Sequence, residues 1–218
     1  MKKIKDLRVD YSGNNMSLEK FKNNPIEQFK LWFDKAQKDN IIEPNAMILS
    51  TVDKNNIPTS RTVLLKEINN KGFIFFTNYE SRKSQHIKYN NNVSTLFLWK
   101  RNERQVIING KCKKISKKDS EKYFISRPRK SKIAAWASIQ SSILENPNIL
   151  LNKFKEFENK FLNNEIPYPD KFNKNIYIQN GFIKPKSIEF WQGKSSRMHD
   201  RIVYSKKNNL WNKVRLYP

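Results

Sequence analysis

The chain has 218 residues, of which 37% are hydrophobic, and it carries a formal net charge of +23. This length and apolar content are sufficient for one domain with a hydrophobic core. The sequence has no apolar run of the roughly 20 residues that a membrane helix needs, and residues 1–11 lack the apolar stretch of a signal peptide. We therefore expect a soluble, cytoplasmic protein without a membrane partner.

The basic residues are spread along the whole chain, and many asparagine and isoleucine residues accompany them. Nucleic-acid binding usually relies on clustered Lys and Arg residues that release counterions from phosphates. We therefore do not expect a nucleic acid as partner. The overall positive charge would still concentrate small anionic ligands near their site.

The first secondary-structure signal is a helix start at Asn24 and Pro25. Asparagine can cap a helix, proline suits its first turn, and the apolar residues between Phe29 and Ala36 recur at helical spacing. From residue 46 to residue 78 the pattern changes to short apolar or alternating runs separated by turns. This part predicts a β-meander, against which we expect the helix to pack.

The rest of the chain predicts a short helix over residues 81–90, a hairpin over residues 92–116, and two or three helices between residues 117 and 161. Four apolar residues are predicted to lie along one side of the last helix, namely Leu150, Phe154, Phe157 and Phe161. Strands return between residues 187 and 218, with a turn at Asn208-Asn209. The order of strands, helices and strands predicts an α+β, mainly β fold in a single domain, built on an antiparallel barrel or a strongly curled sheet.

Basic side chains occur at positions that are sensitive to strand geometry. Side chains alternate along a strand, so an extended segment from Arg197 to Arg201 would place Arg197, His199 and Arg201 on one face. Arg61 and Lys66 are five residues apart and would face opposite sides of a regular strand. A β-bulge, or ligands on both sides of the strand, would be needed to use both residues.

Two segments have the composition of phosphate sites. Residues Ser81–Lys83 follow a strand and open a helix, whose free N–H groups would add to a hydroxyl and two cations, although ordinary capping by Ser81 would explain the serine alone. Tyr123, Arg127 and Ser131 fall at four-residue intervals and would share one face of a helix, which Pro128 interrupts. The sequence contains no Walker-type phosphate loop.

Little in the sequence could hold a metal or form a hydrolytic triad. The only histidines are His86 and His199, the only cysteine is Cys112, and neither HExxH-like spacing nor a GxSxG turn is present. We expect His86 to be an ordinary helix residue and Cys112 to pack in the core. Two anion sites, together with Trp191 and the pair Gln140–Ser141, indicate an aromatic phosphorylated cofactor and a small phosphorylated substrate, with no metal.

Five motifs follow one another along the chain. They are RTVLLK at 61–66, FFTN with SRK at 75–83, ERQV at 103–106, YFISRPRKSKIAAWASIQSS at 123–142 and IEFWQGKSSRMHDR at 188–201. In this order they closely resemble the pyridoxamine 5'-phosphate oxidase family, and the resemblance covers nearly the whole chain.

The resemblance implies an FMN-binding split β-barrel and a homodimer with FMN at the subunit interface. It also implies oxidation of pyridoxamine 5'-phosphate or pyridoxine 5'-phosphate to pyridoxal 5'-phosphate, a step of pyridoxine biosynthesis. A hydride would pass to the flavin, and O2 would reoxidise the flavin and leave as H2O2.

The resemblance also implies roles for individual residues. The FMN phosphate would be held by Arg61, Arg82 and Lys83. The rest of the flavin would be surrounded by Val63, Leu64, Phe76, Thr77, Gln105, Gln140, Ser141, Trp191 and Arg201. The substrate phosphate would be bound by Lys66, Tyr123, Arg127 and Ser131. Arg197 and His199 would lie against the substrate ring as catalytic residues, and Arg8 and Tyr11 would belong to a flexible N-terminal lid over residues 1–20.

Some points stay open from the sequence. His199 would hold electron-rich groups near the ring if it were protonated, or it would only pack or orient its neighbours. Residues 165–187 are longer than the usual connection of the family and lack its Trp, so we expect a variable loop there. Residues 12–17 read SGNNMS in place of a glycine-arginine-rich stretch, so no ligand contact is assumed in that segment.

Two other functions stay open as well. Another split-barrel flavoprotein, such as a flavin reductase or a flavin-binding protein, would keep the FMN residues and lose the substrate residues, yet all of the latter are present. A basic nucleic-acid-binding protein would be colourless after purification and would shift nucleic acid in a salt-sensitive manner.

Overall fold

The computed structural model describes residues 3–7, 9–70, 72–169 and 178–218. Within these residues the strands are β1 Ala46–Val52, β2 Pro58–Asn69, β3 Gly72–Asn78, β4 Asn92–Trp99, β5 Arg104–Lys114, β6 Ile178–Gln192, β7 Asp200–Lys207 and β8 Leu210–Leu216. The α-helices are α1 Pro25–Lys38, α2 Arg82–Tyr89, α3 Lys117–Ser126, α4 Arg129–Ala137 and α5 Pro147–Lys160. Among the described helices, none combines the length and the apolar character that crossing a membrane requires.

Six of these strands close into an antiparallel barrel. Hydrogen-bonded neighbours follow the order β3-β2-β1-β4-β5-β6, and β6 pairs back with β3. The first part of β6, residues 178–183, pairs with β3, whereas residues 187–192 pair with β7, so the sheet splits along this strand. β8 extends the sheet beyond β7. The predicted mainly β, split-barrel fold with flanking helices is confirmed.

Aromatic side chains fill the barrel. Phe73 of β3 and Phe97 of β4 have no exposed surface, and both rings lie 4.9 Å from the ring of Phe29 in α1. Burying each such side chain contributes roughly 1.5–3 kcal/mol. The side chain of Asn24 accepts a hydrogen bond from the N–H of Ile26 at 2.9 Å, which confirms the predicted helix start. This packing fixes α1 against the barrel.

The helices α3, α4 and α5 form a second, smaller core. Phe161 and Trp136 are buried with their ring centroids 5.5 Å apart, and Phe154 and Phe157 pack against them. Leu150 lies on the same side of α5 one turn earlier, but it is 36% exposed and is not part of this core. The small core holds α3 and α4 at the side of the barrel, next to the strands β2 and β3 that carry predicted site residues.

Two further expectations have a clear outcome in the structure. Asn208 and Asn209 have φ angles of 51° and 63°, the left-handed values that a two-residue hairpin turn requires, and they join β7 to β8 as predicted. Cys112 is 3% exposed in the barrel core, and burial raises the pKa of its thiol to about 12. It is therefore an unreactive packing residue.

The expected variable loop over residues 165–187 needs a correction. Residues 178–187 belong to β6, because all of them except Lys186 pair with a residue of β3 or β5. Residues 170–177, which fall in the middle of the expected loop, lie outside the described residues.

Candidate active site

A cleft of about 920 Å³ lies beside β2, β3 and the segment that runs from α3 to Ser141. The predicted site residues that line it are Arg61, Val63, Leu64, Lys66, Phe76, Thr77, Arg82, Lys83, Tyr123, Arg127, Ser131, Gln140 and Ser141. Both predicted phosphate sets therefore face one cavity. Its size is typical of pockets for small molecules, which occupy roughly 300–1,000 Å³.

β2 carries a β-bulge beside the cleft. The pairing of β2 with β3 shifts register between Leu65 and Glu67, so Lys66 is the extra residue. The cleft is lined by residues 59–64 as well as by Lys66, so residues of both faces of β2 reach it. The structure therefore contains both arrangements predicted to make Arg61 and Lys66 usable together, a bulge and a cavity that both faces of the strand reach.

Three cations, Arg61, Arg82 and Lys83, form the first group in the cleft. Lys83 is only 8% exposed, and its Nζ donates to Thr77 Oγ1 at 3.0 Å and to Ser81 Oγ at 3.3 Å. Burial, with the nearby charge of Arg61, lowers the pKa of Lys83 to about 8. Burial also lowers the pKa of Arg61, with a smaller effect from Arg82. Within the described residues no carboxylate relieves this repulsion, so the group is arranged for an anionic ligand.

The guanidinium of Arg61 is held by three acceptors of the barrel. Nη1 donates to the carbonyl oxygen of Leu49 at 3.0 Å and to Thr51 Oγ1 at 2.7 Å, and Nη2 donates to Thr59 Oγ1. In the described part of the chain, Nε has no protein acceptor. The edge of a guanidinium that Nε and Nη2 form can bind a phosphate in a bidentate manner.

Sequence reasoning missed the threonines that orient Arg61. Thr59 could have been found, because it lies two residues before Arg61 and so shares its strand face. Thr51 could not, because its place opposite Thr59 depends on the register between β1 and β2.

Lys66, Tyr123, Arg127 and Ser131 form the second group in the cleft. Tyr123 and Ser131 lie on α3 and α4, not on one helix face as their spacing predicted, because the chain becomes extended at Arg127 and Pro128. Proline disfavours a helical residue before it, which accounts for the break. Burial lowers the pKa of Arg127 and raises that of Tyr123, and the charge of Arg127 opposes the latter effect.

An aromatic pair connects β3 with α3 at the same cleft. The rings of Phe76 and Tyr123 stack with their centroids 3.3 Å apart and their planes 2° from parallel. Because Phe76 is part of a barrel strand, the stack fixes the direction of the Tyr123 phenol beside Arg127.

The remaining predicted residues lie on β5, β6, the connection from β6 to β7, β7 and the N-terminal segment, and we call this group the Trp191 face. Its described members are Tyr11, Gln105, Trp191, Arg197, His199 and Arg201, whereas Arg8 lies outside the described residues. None of the described members lines the cleft. Gln105 pairs with Trp191 and Trp191 pairs with Arg201 across three neighbouring strands, so their side chains share one side of the sheet.

Arg201 already has a partner on this face. Its Nε donates to Glu189 Oε1 at 2.7 Å, and its Nη2 donates to Glu189 Oε2 at 3.2 Å. This bidentate pair raises the pKa of Arg201. The carboxylate fixes the guanidinium next to Trp191, and Arg201 Nη1 donates to the carbonyl oxygen of Tyr217 at 3.3 Å.

His199 packs between two aromatic residues of the Trp191 face. Its ring centroid lies 4.7 Å from that of Trp191 and 5.6 Å from that of Tyr11. The backbone N–H of Lys194 donates to His199 Nδ1 at 3.1 Å, which orients the ring and leaves Nε2 as the nitrogen that a ligand could contact.

The expected extended segment from Arg197 to Arg201 was wrong in its first half. Residues 195–197 form a 3₁₀ turn in which Arg197 has a φ of 60°, and β7 begins only at Asp200. Arg197 therefore does not share a strand face with His199 and Arg201. The physical reason is that the chain must reverse between β6 and β7, and this reversal uses the residues that the alternation had placed in a strand.

The chain is similar to known proteins along nearly its whole length. Residues 33–161 match the family model described as pyridoxamine 5'-phosphate oxidase, and residues 182–218 match the one described as pyridoxine 5'-phosphate oxidase C-terminal dimerisation region. The pyridoxine/pyridoxamine 5'-phosphate oxidase 2 of Hydrogenovibrio crunogenus is 45% identical over 99% of this chain and 98% of its own length. The pyridoxine/pyridoxamine 5'-phosphate oxidase of Aliarcobacter butzleri is 44% identical over 99% of each chain.

Two solved structures share the fold. PhzG from Burkholderia lata 383, crystallised in complex with tetrahydrophenazine-1-carboxylic acid, has a TM-score of 0.86 at 24% identity and covers 95% of this chain and 100% of its own. A pyridoxamine 5'-phosphate oxidase-related, FMN-binding protein from Nostoc punctiforme has a TM-score of 0.68 at 13% identity, with 93% and 100% covered. Together with the matches over the chain, these findings show that the protein belongs to the pyridoxine/pyridoxamine 5'-phosphate oxidase family.

Proposed function

We propose that the protein is an FMN-dependent oxidase that converts pyridoxamine 5'-phosphate or pyridoxine 5'-phosphate to pyridoxal 5'-phosphate. The observation that carries this proposal is the presence of two separate groups of cations and hydroxyls in one cleft. A reaction between a phosphorylated cofactor and a phosphorylated substrate needs two phosphate sites in one cavity, because each anchor fixes one reactant. The names of relatives that are 41–45% identical over nearly the whole chain support these substrates.

Arg61, Arg82 and Lys83 are proposed to hold the FMN phosphate. The free edge of Arg61, the buried ammonium of Lys83 and the first turn of α2 fit a doubly charged group, which would relieve the repulsion among the three cations. When bound, FMN would accept a hydride from the substrate and pass the electrons to O2, which would leave as H2O2. The flavin ring is proposed to lie among Val63, Leu64, Phe76, Thr77, Gln140 and Ser141, all of which line the same cleft.

Lys66, Tyr123, Arg127 and Ser131 are proposed to hold the substrate phosphate. An ammonium, a guanidinium and two hydroxyls can together donate to all three phosphate oxygens. Arg127 and Tyr123 are half-buried, so their bonds to a phosphate would be shielded from water. Binding a small substrate by its phosphate leaves the ring free to be oriented by the walls of the cleft.

The Trp191 face is proposed to complete the cleft of a second protomer in a homodimer. The match described as a C-terminal dimerisation region includes Trp191, His199 and Arg201. In this arrangement His199 would offer its Nε2–H, and with Arg197 it would lie against the substrate ring, while Gln105, Trp191 and Arg201 would border the flavin. Residues 1–20 are proposed to form the lid with Arg8 and Tyr11, and the ring of Tyr11 lies 5.6 Å from that of Trp191.

The visible spectrum of the FMN-loaded protein tests this proposal directly. Adding pyridoxamine 5'-phosphate without oxygen is expected to bleach the flavin absorption, and admitting air is expected to restore it with release of H2O2. Bleaching by a nicotinamide donor but not by pyridoxamine 5'-phosphate would instead identify a flavin reductase. A protein that binds no FMN would contradict the proposal altogether.

The affinity for FMN is expected to fall as the pH rises above 8. In the free protein, burial and the charge of Arg61 lower the pKa of Lys83 to about 8, whereas a bound phosphate dianion favours the charged ammonium and raises that pKa. Between the two pKa values binding takes up a proton, so the dissociation constant should rise by up to about tenfold per pH unit. Fluorescence titrations with FMN at pH 7, 8 and 9 measure how the dissociation constant changes with pH. Lys83→Met should bind FMN more weakly than the wild type at pH 7. Its dissociation constant should also lack the part of the pH dependence that Lys83 causes.

The contribution of Lys83 to the stability of the FMN-free protein should rise with pH, whereas the affinity for FMN should fall. The pKa of Lys83 is lower in the folded protein than its value of about 10.4 in an unfolded chain. Between these values the unfolded chain binds more protons, so the contribution of Lys83 to the free energy of unfolding rises with pH. The difference in free energy of unfolding between the wild type and Lys83→Met, measured by urea denaturation at each pH, isolates this contribution. If that difference decreased between pH 8 and pH 10, the lowered pKa of Lys83 would be contradicted.

A further inference from the structure

We propose that His86 is a positioning residue for the cofactor phosphate and that it acts through Thr51 on Arg61. The inference rests on the proposed role of Arg61 and goes beyond the expectation that His86 is an ordinary helix residue. His86 lies on α2 and is 9% exposed, and its Nδ1 lies 3.2 Å from Thr51 Oγ1. The same Thr51 oxygen accepts the hydrogen bond from Arg61 Nη1 at 2.7 Å.

The directions of these hydrogen bonds follow from the donors that are present. Thr51 Oγ1 accepts from Arg61, which has only donors, and the hydroxyl has one hydrogen to give. Within the described residues, the acceptor that this hydrogen reaches is His86 Nδ1. We therefore infer that the chain of donation runs from Arg61 to Thr51 to His86 Nδ1. Bonds that all point in one direction polarise and strengthen each other.

Burial makes His86 hard to replace in this chain. Thr51 has no exposed surface, so water cannot take over as acceptor for its hydroxyl hydrogen. Without an acceptor, the hydroxyl would turn to another rotamer or stay unpaired, and either change weakens its bond to Arg61. The guanidinium would then lose one of the contacts that direct its free edge into the cleft.

The bond between His86 and Thr51 also connects α2, which carries two of the cations, with β1, which pairs with the strand that carries the third. Arg82 and Lys83 open α2, and His86 lies one turn further along the same helix. Thr51 lies on β1, opposite the segment of β2 that carries Arg61. A direct bond from α2 to β1 therefore fixes the distance between the cations of the helix and that of the barrel.

The comparison of His86→Leu with His86→Asn tests the inference through ligand binding. Leucine fills the buried position but offers no hydrogen-bond acceptor to Thr51, so the dissociation constant for FMN should rise about fivefold. The affinity for riboflavin, which has the same ring system and no phosphate, should not change. Asparagine can place its Oδ1 near the position of Nδ1 and should restore most of the FMN affinity. Fluorescence titrations of the wild type and both variants with FMN and riboflavin at one pH give the six dissociation constants.

A double-mutant cycle separates the proposed chain from general damage to the fold. Thr51→Val alone should weaken FMN binding at least as much as His86→Leu, and in the Thr51→Val background His86→Leu should have no further effect. Equal losses of FMN and riboflavin affinity in His86→Leu would overturn the inference. It would also be overturned if His86→Leu lowered the FMN affinity as much in the Thr51→Val background as in the wild type. If the wild type bound riboflavin as tightly as FMN, the phosphate role of Arg61 would itself be wrong, and the proposed function would fail with it.

Discussion

Replacing Arg127 by lysine is expected to raise the KM for pyridoxamine 5'-phosphate by about tenfold or more, which corresponds to about 1.4 kcal/mol for one charge-assisted hydrogen bond. Lysine keeps the charge but loses the planar fork that donates two parallel bonds to a phosphate. Burial adds to the loss, because it lowers the pKa of Lys83 in the same cleft to about 8. A lysine at position 127 would be exposed to a similar effect, whereas a guanidinium stays charged.

Steady-state kinetics together with an FMN titration check this prediction. The affinity for FMN should stay unchanged, because Arg127 belongs to the group proposed for the substrate phosphate. Arg129→Lys is a matched control: Arg129 lies two residues further along, outside the cleft, and donates to the carbonyl oxygens of Phe161, Leu162 and Asn164. It should lower stability and leave KM unchanged. A wild-type KM in Arg127→Lys would remove Arg127 from the substrate site.

The sequence predicts the strands and helices well because their signals are local. Alternating apolar residues between turn residues mark the barrel strands, and Asn24-Pro25 and Asn208-Asn209 carry the chemistry of a helix start and a hairpin turn. Even the bulge at Lys66 has a local signal, since a spacing of five residues between Arg61 and Lys66 is incompatible with one face of a regular strand.

The parts that sequence reasoning misplaced depend on the whole fold. The contact between Thr51 and His86 joins residues 35 positions apart, and it requires both the register of β1 and the docking of α2. The start of β7 at Asp200 depends on where β6 ends and how much chain the reversal uses. Neither quantity is encoded in a short periodic pattern, so the strand alternation gave the wrong face for Arg197.

Two variants that are each inactive are expected to regain activity when they form one dimer. Arg127→Ala damages the cleft, and Trp191→Ala damages the Trp191 face, which does not line the cleft of its own protomer. If each active site combines the cleft of one protomer with the Trp191 face of the other, a dimer of the two variants has one site with both defects and one intact site. Such heterodimers should therefore show about half of the wild-type activity, as two-fold symmetry requires.

Co-expression of the two variants with different affinity tags, followed by purification on both, yields the heterodimer for this measurement. The control combines Arg127→Ala with Lys66→Ala, which both damage the cleft. Each site of that heterodimer has one defective cleft, so no recovery is expected even though the dimer forms in the same way. If the Arg127→Ala and Trp191→Ala pair is as inactive as this control, the Trp191 face serves the cleft of its own chain, and the proposed sharing of sites between protomers is wrong.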